Sequence, residues 1–115
     1  VPHRLTFADL VGDTCKPLSG VGHCLDALQL AELLTLLPGW ACEDNAIVKS
    51  FAFADYEETL AFVNTVARIA SEQDHHPDIA FGYNRCRIAY ATHSVGGISL
   101  NDFICAAKIE ALPRP

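Results

Sequence analysis

Positive charge is scarce in this chain. Eight Lys and Arg stand against fourteen Asp and Glu, giving a net charge of −6, and the basic residues are scattered rather than clustered. A surface that binds DNA or RNA needs grouped cations to displace counterions from phosphate, so a nucleic-acid reader is excluded. Long apolar runs are missing too. No stretch approaches the roughly 18 residues that a membrane helix requires. The opening VPHRLTFADL lacks a basic segment followed by an apolar one, so no signal peptide is expected. There is no C-x-x-C among the five cysteines, Cys15, Cys24, Cys42, Cys86 and Cys105. That absence argues against a zinc ribbon or redox motif, and the odd count argues against a secreted disulfide scaffold. Reduced thiols in a cytoplasm are the expectation. Cys86 and Cys105 fall within apolar patterns and read as small core residues. Cys15 and Cys24 flank a Gly-containing loop and could pair, although nothing requires it.

What is present suits one globular domain. The chain has 115 residues, half of them hydrophobic, enough for a core but not for a second domain. Residues 1–24 contain CKPLSGVGHC and read as a loosely packed lead-in; residues 25–115 are expected to form the domain. Leu30, Leu33, Leu34 and Leu37 recur at helical spacing behind Asp26 as N-cap, and Pro38-Gly39 stops that helix. Strands follow at Trp40–Cys42 and Ile47–Phe53 around the polar turn EDN. Lys49 shares the inward parity of Ile47, Phe51 and Phe53, a conflict in the pattern. Asp55 and Glu58 form a capping-box pair at the head of a second helix, whose stripe is Phe62, Val63, Val66, Ile69 and Ala70.

Pro77 ends that helix and forces His76 to be extended, so His75 and His76 should diverge from one corner. Ile79, Phe81 and Tyr83 alternate, as do Cys86, Ile88, Tyr90 and Thr92, which predicts a hairpin with its tip at Asn84-Arg85. Ser99 and Asp102 open a last helix carrying Phe103, Ile104 and Ala107. The order is α-β-β-α-β-β-α, an α+β fold with a four-stranded antiparallel sheet and three helices packed on one face.

Equal offsets from a hairpin tip place residues opposite one another. A tip at 84–85 therefore sets His76 against His93, with His75 beside them. Three clustered imidazoles can bind a metal, move protons or merely decorate a surface. Adjacent histidines chelate one ion poorly, and no carboxylate or thiolate completes a ligand set, so no metal is expected. Proton transfer near neutral pH suits imidazole. His3 and His23 lie in the lead-in and carry no such argument.

The motifs DHHP at 74–77, Tyr83, TH at 92–93 and Asp102 resemble the pterin-4a-carbinolamine dehydratase family, also called 4a-hydroxytetrahydrobiopterin dehydratases. The resemblance extends through LPGW at 37–40, FAFADYEETLAFVNTVA at 51–67, YNR at 83–85 and GGISLNDFICAAKIE at 96–110, covering about Leu25 to Leu112. It implies a cytosolic hydro-lyase without metal or cofactor. Such an enzyme dehydrates the 4a-hydroxytetrahydropterin left by aromatic amino acid hydroxylases to a quinonoid dihydropterin, recycling tetrahydrobiopterin. By position, His75 and His93 would transfer protons and His76 would hold the ring. Asp74, Thr92, Asp102, Trp40 and Tyr83 are the candidates to bind substrate or support the histidines.

Several of these have plainer readings. Asp102 fits a helix cap as well as a support, Trp40 reads first as core, and Tyr83 reads as packing. The family implies a homodimer or homotetramer, and it includes proteins of this fold that act without catalysis, as a transcription-factor dimerisation cofactor or in Rubisco assembly. One departure stands out. Where the family usually carries an acid four residues before the first histidine of the pair, this chain has Ser71.

Overall fold

The structure, a computed structural model, describes residues 4–113. Its helices are α1 (Phe7–Gly12), α2 (Ala27–Leu34), α3 (Tyr56–Gln73) and α4 (Leu100–Glu110). Its strands are β1 (Ala41–Glu43), β2 (Ala46–Ala52), β3 (Asp78–Phe81) and β4 (Arg85–Tyr90), with single 3₁₀ turns at Val21–His23 and His93–Val95. The strands form one antiparallel sheet in the order β1-β2-β4-β3. Its inner face buries Ile47, Phe51, Cys86, Ile88 and Tyr90, while Ser50, Ala52, Arg85 and Arg87 point outward and are exposed. The helices cover the inner face, as the alternation requires.

Each expected element has a local cause. Asp26 caps α2 reciprocally with Gln29, at 2.8 and 2.9 Å. The α2 helix closes at Leu34, and Leu37 follows in tight turns before the left-handed Gly39 (φ +91°). In the β1–β2 turn Asp44 and Asn45 both take positive φ (+49° and +62°), the pairing a two-residue hairpin demands. At the head of α3, Asp55 accepts from the Glu58 N–H at 2.9 Å, and Glu58 reaches back to the Ala54 N–H at 3.1 Å.

Lys49 does face the helices, and the structure resolves the conflict. Its ammonium reaches Glu110 Oε1 (2.5 Å) and the Pro38 carbonyl (3.3 Å), and lies 5.1 Å from the centre of the Phe51 ring. Glu110 also accepts from Trp40 Nε1 at 2.8 Å.

Two expectations need correction. Residues 1–24 are not a loose lead-in within the described part. Thr6 and Asp9 form a capping box that starts α1, Leu10 is only 1% exposed, and α1 packs on α4, where Lys108 donates to the Val11 carbonyl at 2.6 Å. The domain thus carries a fourth helix ahead of the three expected. Second, the β3–β4 hairpin turns at Tyr83-Asn84, closed by the Gly82 N–H on the Arg85 carbonyl at 2.9 Å. Its register pairs Asp78 with Ala89 and Phe81 with Cys86. The tip lies one residue earlier than the alternation suggested, because Tyr83 continues the pattern by type while standing in the turn. A tip shift of one residue displaces the partners by two. Continued past the strand ends, the register sets Thr92 opposite His75 and Ala91 opposite His76.

Candidate active site

The corner after α3 is built by the helix end itself. Asp74 adopts the left-handed conformation (φ +50°) as C-cap, and the Asp74 and His75 N–H groups both donate to carbonyls of the last turn. Asp, like Asn, tolerates this conformation better than bulky residues do. The reversal swings the His75 ring inward over the start of α4. There Nε2 lies 2.5 Å from Asp102 Oδ1, and the ring stacks on Tyr90 with centroids 5.2 Å apart and planes inclined by 22°. The Tyr90 hydroxyl donates to the His75 carbonyl at 3.1 Å. Ring and backbone of this residue are therefore held by one neighbour.

Asp102 is fully buried, yet each oxygen is engaged. Oδ1 faces His75, while Oδ2 accepts from the Ser99 N–H (2.9 Å) and the Thr92 hydroxyl (2.8 Å). Since the Thr92 proton points at Asp102, Ser99 must donate across the 2.7 Å contact between the two hydroxyls. Thr92 Oγ1 also stands 3.5 Å from His75 Nε2. A buried carboxylate without such partners would be costly to desolvate. Here helix cap and histidine support are the same residue, because the two oxygens serve the two tasks.

Burial alone would make His75 less basic. The Asp102 hydrogen bond and charge outweigh burial, with smaller contributions from Cys15 and Asp74, and hold its pKa above the ordinary 6.5. With Nε2 engaged by Asp102, any proton exchange with a ligand would fall to Nδ1. The side chain keeps 13% of its surface open.

The remaining candidates are distributed unevenly. His76 and His93 are both exposed. His93 opens the 3₁₀ turn directly after Thr92, one residue from the cluster. The corrected register removes the expected His76–His93 opposition, so His75 rather than His76 is the imidazole aligned with the end of β4. Asp74 contributes the corner and a nearby charge. Trp40 does not join the group. It is buried against Phe51 (6.1 Å, edge-on) and bonded to Glu110, eight residues along α4 from Asp102, about 12 Å at the rise of a helix. Tyr83 is at the far end of the hairpin, exposed and stacked on Tyr56, and its carbonyl accepts from Thr59 at 2.9 Å. Tyr90 and Ser99 complete the cluster without having been singled out for it. Tyr90 precedes Thr92 by two on one strand parity, which was a usable signal. Among the described residues no three His, Cys, Asp or Glu side chains are grouped as a metal centre needs.

With this geometry in view, residues 23–112 match the family described as Pterin 4 alpha carbinolamine dehydratase. The chain belongs to that family. It is 48% identical over 107 residues to a protein of Nitrosospira multiformis, covering 93% of this chain and 95% of the other. It is 52% identical over 100 residues to one of Xanthomonas campestris pv. campestris, covering 85% of each. Both relatives bear the provisional name pterin-4-alpha-carbinolamine dehydratase. Among solved structures, a transcriptional coactivator/pterin dehydratase of Brucella melitensis superposes with a TM-score of 0.74 at 36% identity, over 76% of this chain and 96% of its own. A pterin dehydratase-like protein identified as a RuBisCO assembly factor in the alpha-carboxysome gives 0.52 at 27% identity, over 63% of this chain and 83% of its own. Among the described residues no helix is long and apolar enough to cross a membrane.

Proposed function

We propose that this family member dehydrates 4a-hydroxytetrahydropterin to quinonoid dihydropterin by histidine acid–base catalysis, returning tetrahydrobiopterin to the aromatic amino acid hydroxylases. The observation that carries the reading is the His75–Asp102 pair, a largely buried imidazole whose hold on a proton is strengthened by a fully buried carboxylate. Breaking the C4a–O bond needs a proton on the departing oxygen and a base for a ring N–H proton. His75, charged and steadied by Asp102, donates from Nδ1 to the 4a-hydroxyl, which leaves as water. His93, exposed one residue beyond Thr92, takes the ring proton, and exchange with solvent resets both imidazoles. His76, fixed in extended backbone before Pro77, holds the pterin. The reading carries with it a cytoplasmic homodimer or homotetramer.

The test follows the decay of freshly generated 4a-hydroxytetrahydropterin by ultraviolet absorbance, with wild type, His75→Ala and His93→Ala. Wild type should accelerate decay, and each variant should lose about 100-fold or more of that acceleration, the usual worth of a positioned acid or base. A folded wild-type protein that leaves the spontaneous rate unchanged sinks the proposal. It would favour a non-catalytic interaction role, the reading to which Ser71 and the likeness to a RuBisCO assembly factor lend support.

A further inference from the structure

Two side chains that the dehydration does not use lie against each other beside the His75–Asp102 pair. Cys15 Sγ is 3.5 Å from Cys105 Sγ, although 90 positions separate them in the chain. Cys105 is fully buried, one helical turn after Asp102 on α4, whereas Cys15 is half-buried and reaches solvent. The segment bearing Cys15 is fixed by three hydrogen bonds from two side chains. The Cys15 N–H donates to Gln73 Oε1 at 2.8 Å. The Asn101 side chain grips Lys16 through both backbone groups, accepting from its N–H at 3.1 Å and donating to its carbonyl at 2.7 Å. The sulfurs are thus brought together by backbone anchors, not by collapse of a loose tail. Disulfide sulfurs stand about 2.0 Å apart, so the 3.5 Å contact leaves about 1.5 Å to close.

The same anchors decide the partner. Cys15 meets Cys105 and not Cys24, the neighbour in sequence, whose sulfur instead crowds Gly97. Cys42 is exposed on β1 and Cys86 is buried in the sheet. We propose that Cys15 and Cys105 are a reversible dithiol–disulfide pair, closed by a hydroperoxide, that ties the N-terminal segment to α4 beside the candidate active site.

The chemistry balances. The Cys15 sulfur attacks the peroxide oxygen, the O–O bond breaks, and Cys15 becomes a sulfenic acid with release of water from hydrogen peroxide. The Cys105 sulfur then attacks the Cys15 sulfur, the S–S bond forms, the S–O bond breaks, and hydroxide leaves with the Cys105 proton as a second water. Two thiols are oxidised and one peroxide is reduced. The Cys15 hydrogen bond, opposed by burial, lowers the Cys105 pKa and eases loss of its proton as it attacks. The same contact, together with burial, pushes the Cys15 thiol up. Cys15 is the sulfur that meets peroxide because it is the one that reaches solvent, and its proton leaves with the departing hydroxide as the first water.

The experiment treats the reduced, folded full chain with hydrogen peroxide, removes the peroxide, alkylates in denaturant so that buried thiols also react, and maps peptides without reduction. Two of the five thiols should become resistant to alkylation, the Cys15 and Cys105 peptides should be linked, and dithiothreitol should restore all five. The linked form should melt several degrees higher, because the cross-link closes a long loop. Cys105→Ser disturbs a buried site, so Cys15→Ser is the deciding variant: it should fold, and it should lose both the link and the thermal shift. Cys42, exposed, serves as internal control through sulfenic acid trapping with dimedone. Peroxide that labels Cys42 while Cys15 and Cys105 both remain alkylatable overturns the proposal. So does a link from Cys15 to Cys24.

Discussion

His75 holds its proton more tightly than a free imidazole because, against the cost of its burial, the hydrogen bond and charge of the buried Asp102 carboxylate prevail. The pKa is 6.5 unfolded and higher folded, so the folded state binds the proton better. The resulting stability is complete below pH 6.5 and is lost as pH rises through the folded value. The urea midpoint is therefore expected to fall across that window. The fall should be flattened in Asp102→Asn, and the His75 ring protons should titrate above 6.5 by nuclear magnetic resonance. A wild-type midpoint that is flat, or that rises with pH, would contradict the pairing. Ser71 stands one turn before His75 on the exposed side of α3. On the dehydratase reading, Ser71→Glu should raise the dehydration rate; an unchanged rate would show that the acid is dispensable here. At this scale the sequence was most informative about residue type. DHHP and Asp102 were visible as motifs, whereas the choice of His75 over His76 as the Asp102 partner depends on a hairpin tip that side-chain alternation alone does not locate.

Elements with a strong period were legible: α3 by its stripe, α4 by its cap and apolar side, and β2 and β4 by alternation. α1 was not, although Thr6 and Asp9 spell out its capping box. Its six residues are too few to show a period, and its stability is tertiary, supplied by Leu10 in the core and by the grips of Lys108 and Asn101. Removing the buried side chain with Leu10→Ala should cost about 2–5 kcal/mol in denaturant titration. Asn101→Ala leaves the Lys16 backbone without its partners and should cost about 1–3 kcal/mol. Both should make the segment before α2 more sensitive to limited proteolysis than the rest of the chain. Equal sensitivity throughout would mean that α1 is not a separately anchored element.

For the molecule as a whole, the layered plan followed from pattern, while the joints between layers did not. Lys49 looked like an error in β2 and is instead a joint. It links the sheet to the end of α4 through Glu110, to which Trp40 also donates, and to the turn before β1 through the Pro38 carbonyl. Lys49→Ala should cost about 1–3 kcal/mol, less than a fully buried pair because both partners keep some contact with water. Lys49→Met should recover part of that loss by filling the space. Equal losses in the two variants would assign the effect to charge alone. The 18 residues of α3 also act as a measured length, fixed at one end by Asp55 and at the other by the reversal at Asp74. One added residue would turn everything beyond it by about 100° and advance it by about 1.5 Å, carrying His75 away from Asp102. Inheritance should respect that count. Across descendants of this gene, gains and losses of residues should gather in the segment between α1 and α2, and lineages that keep the reaction should keep α3 at constant length.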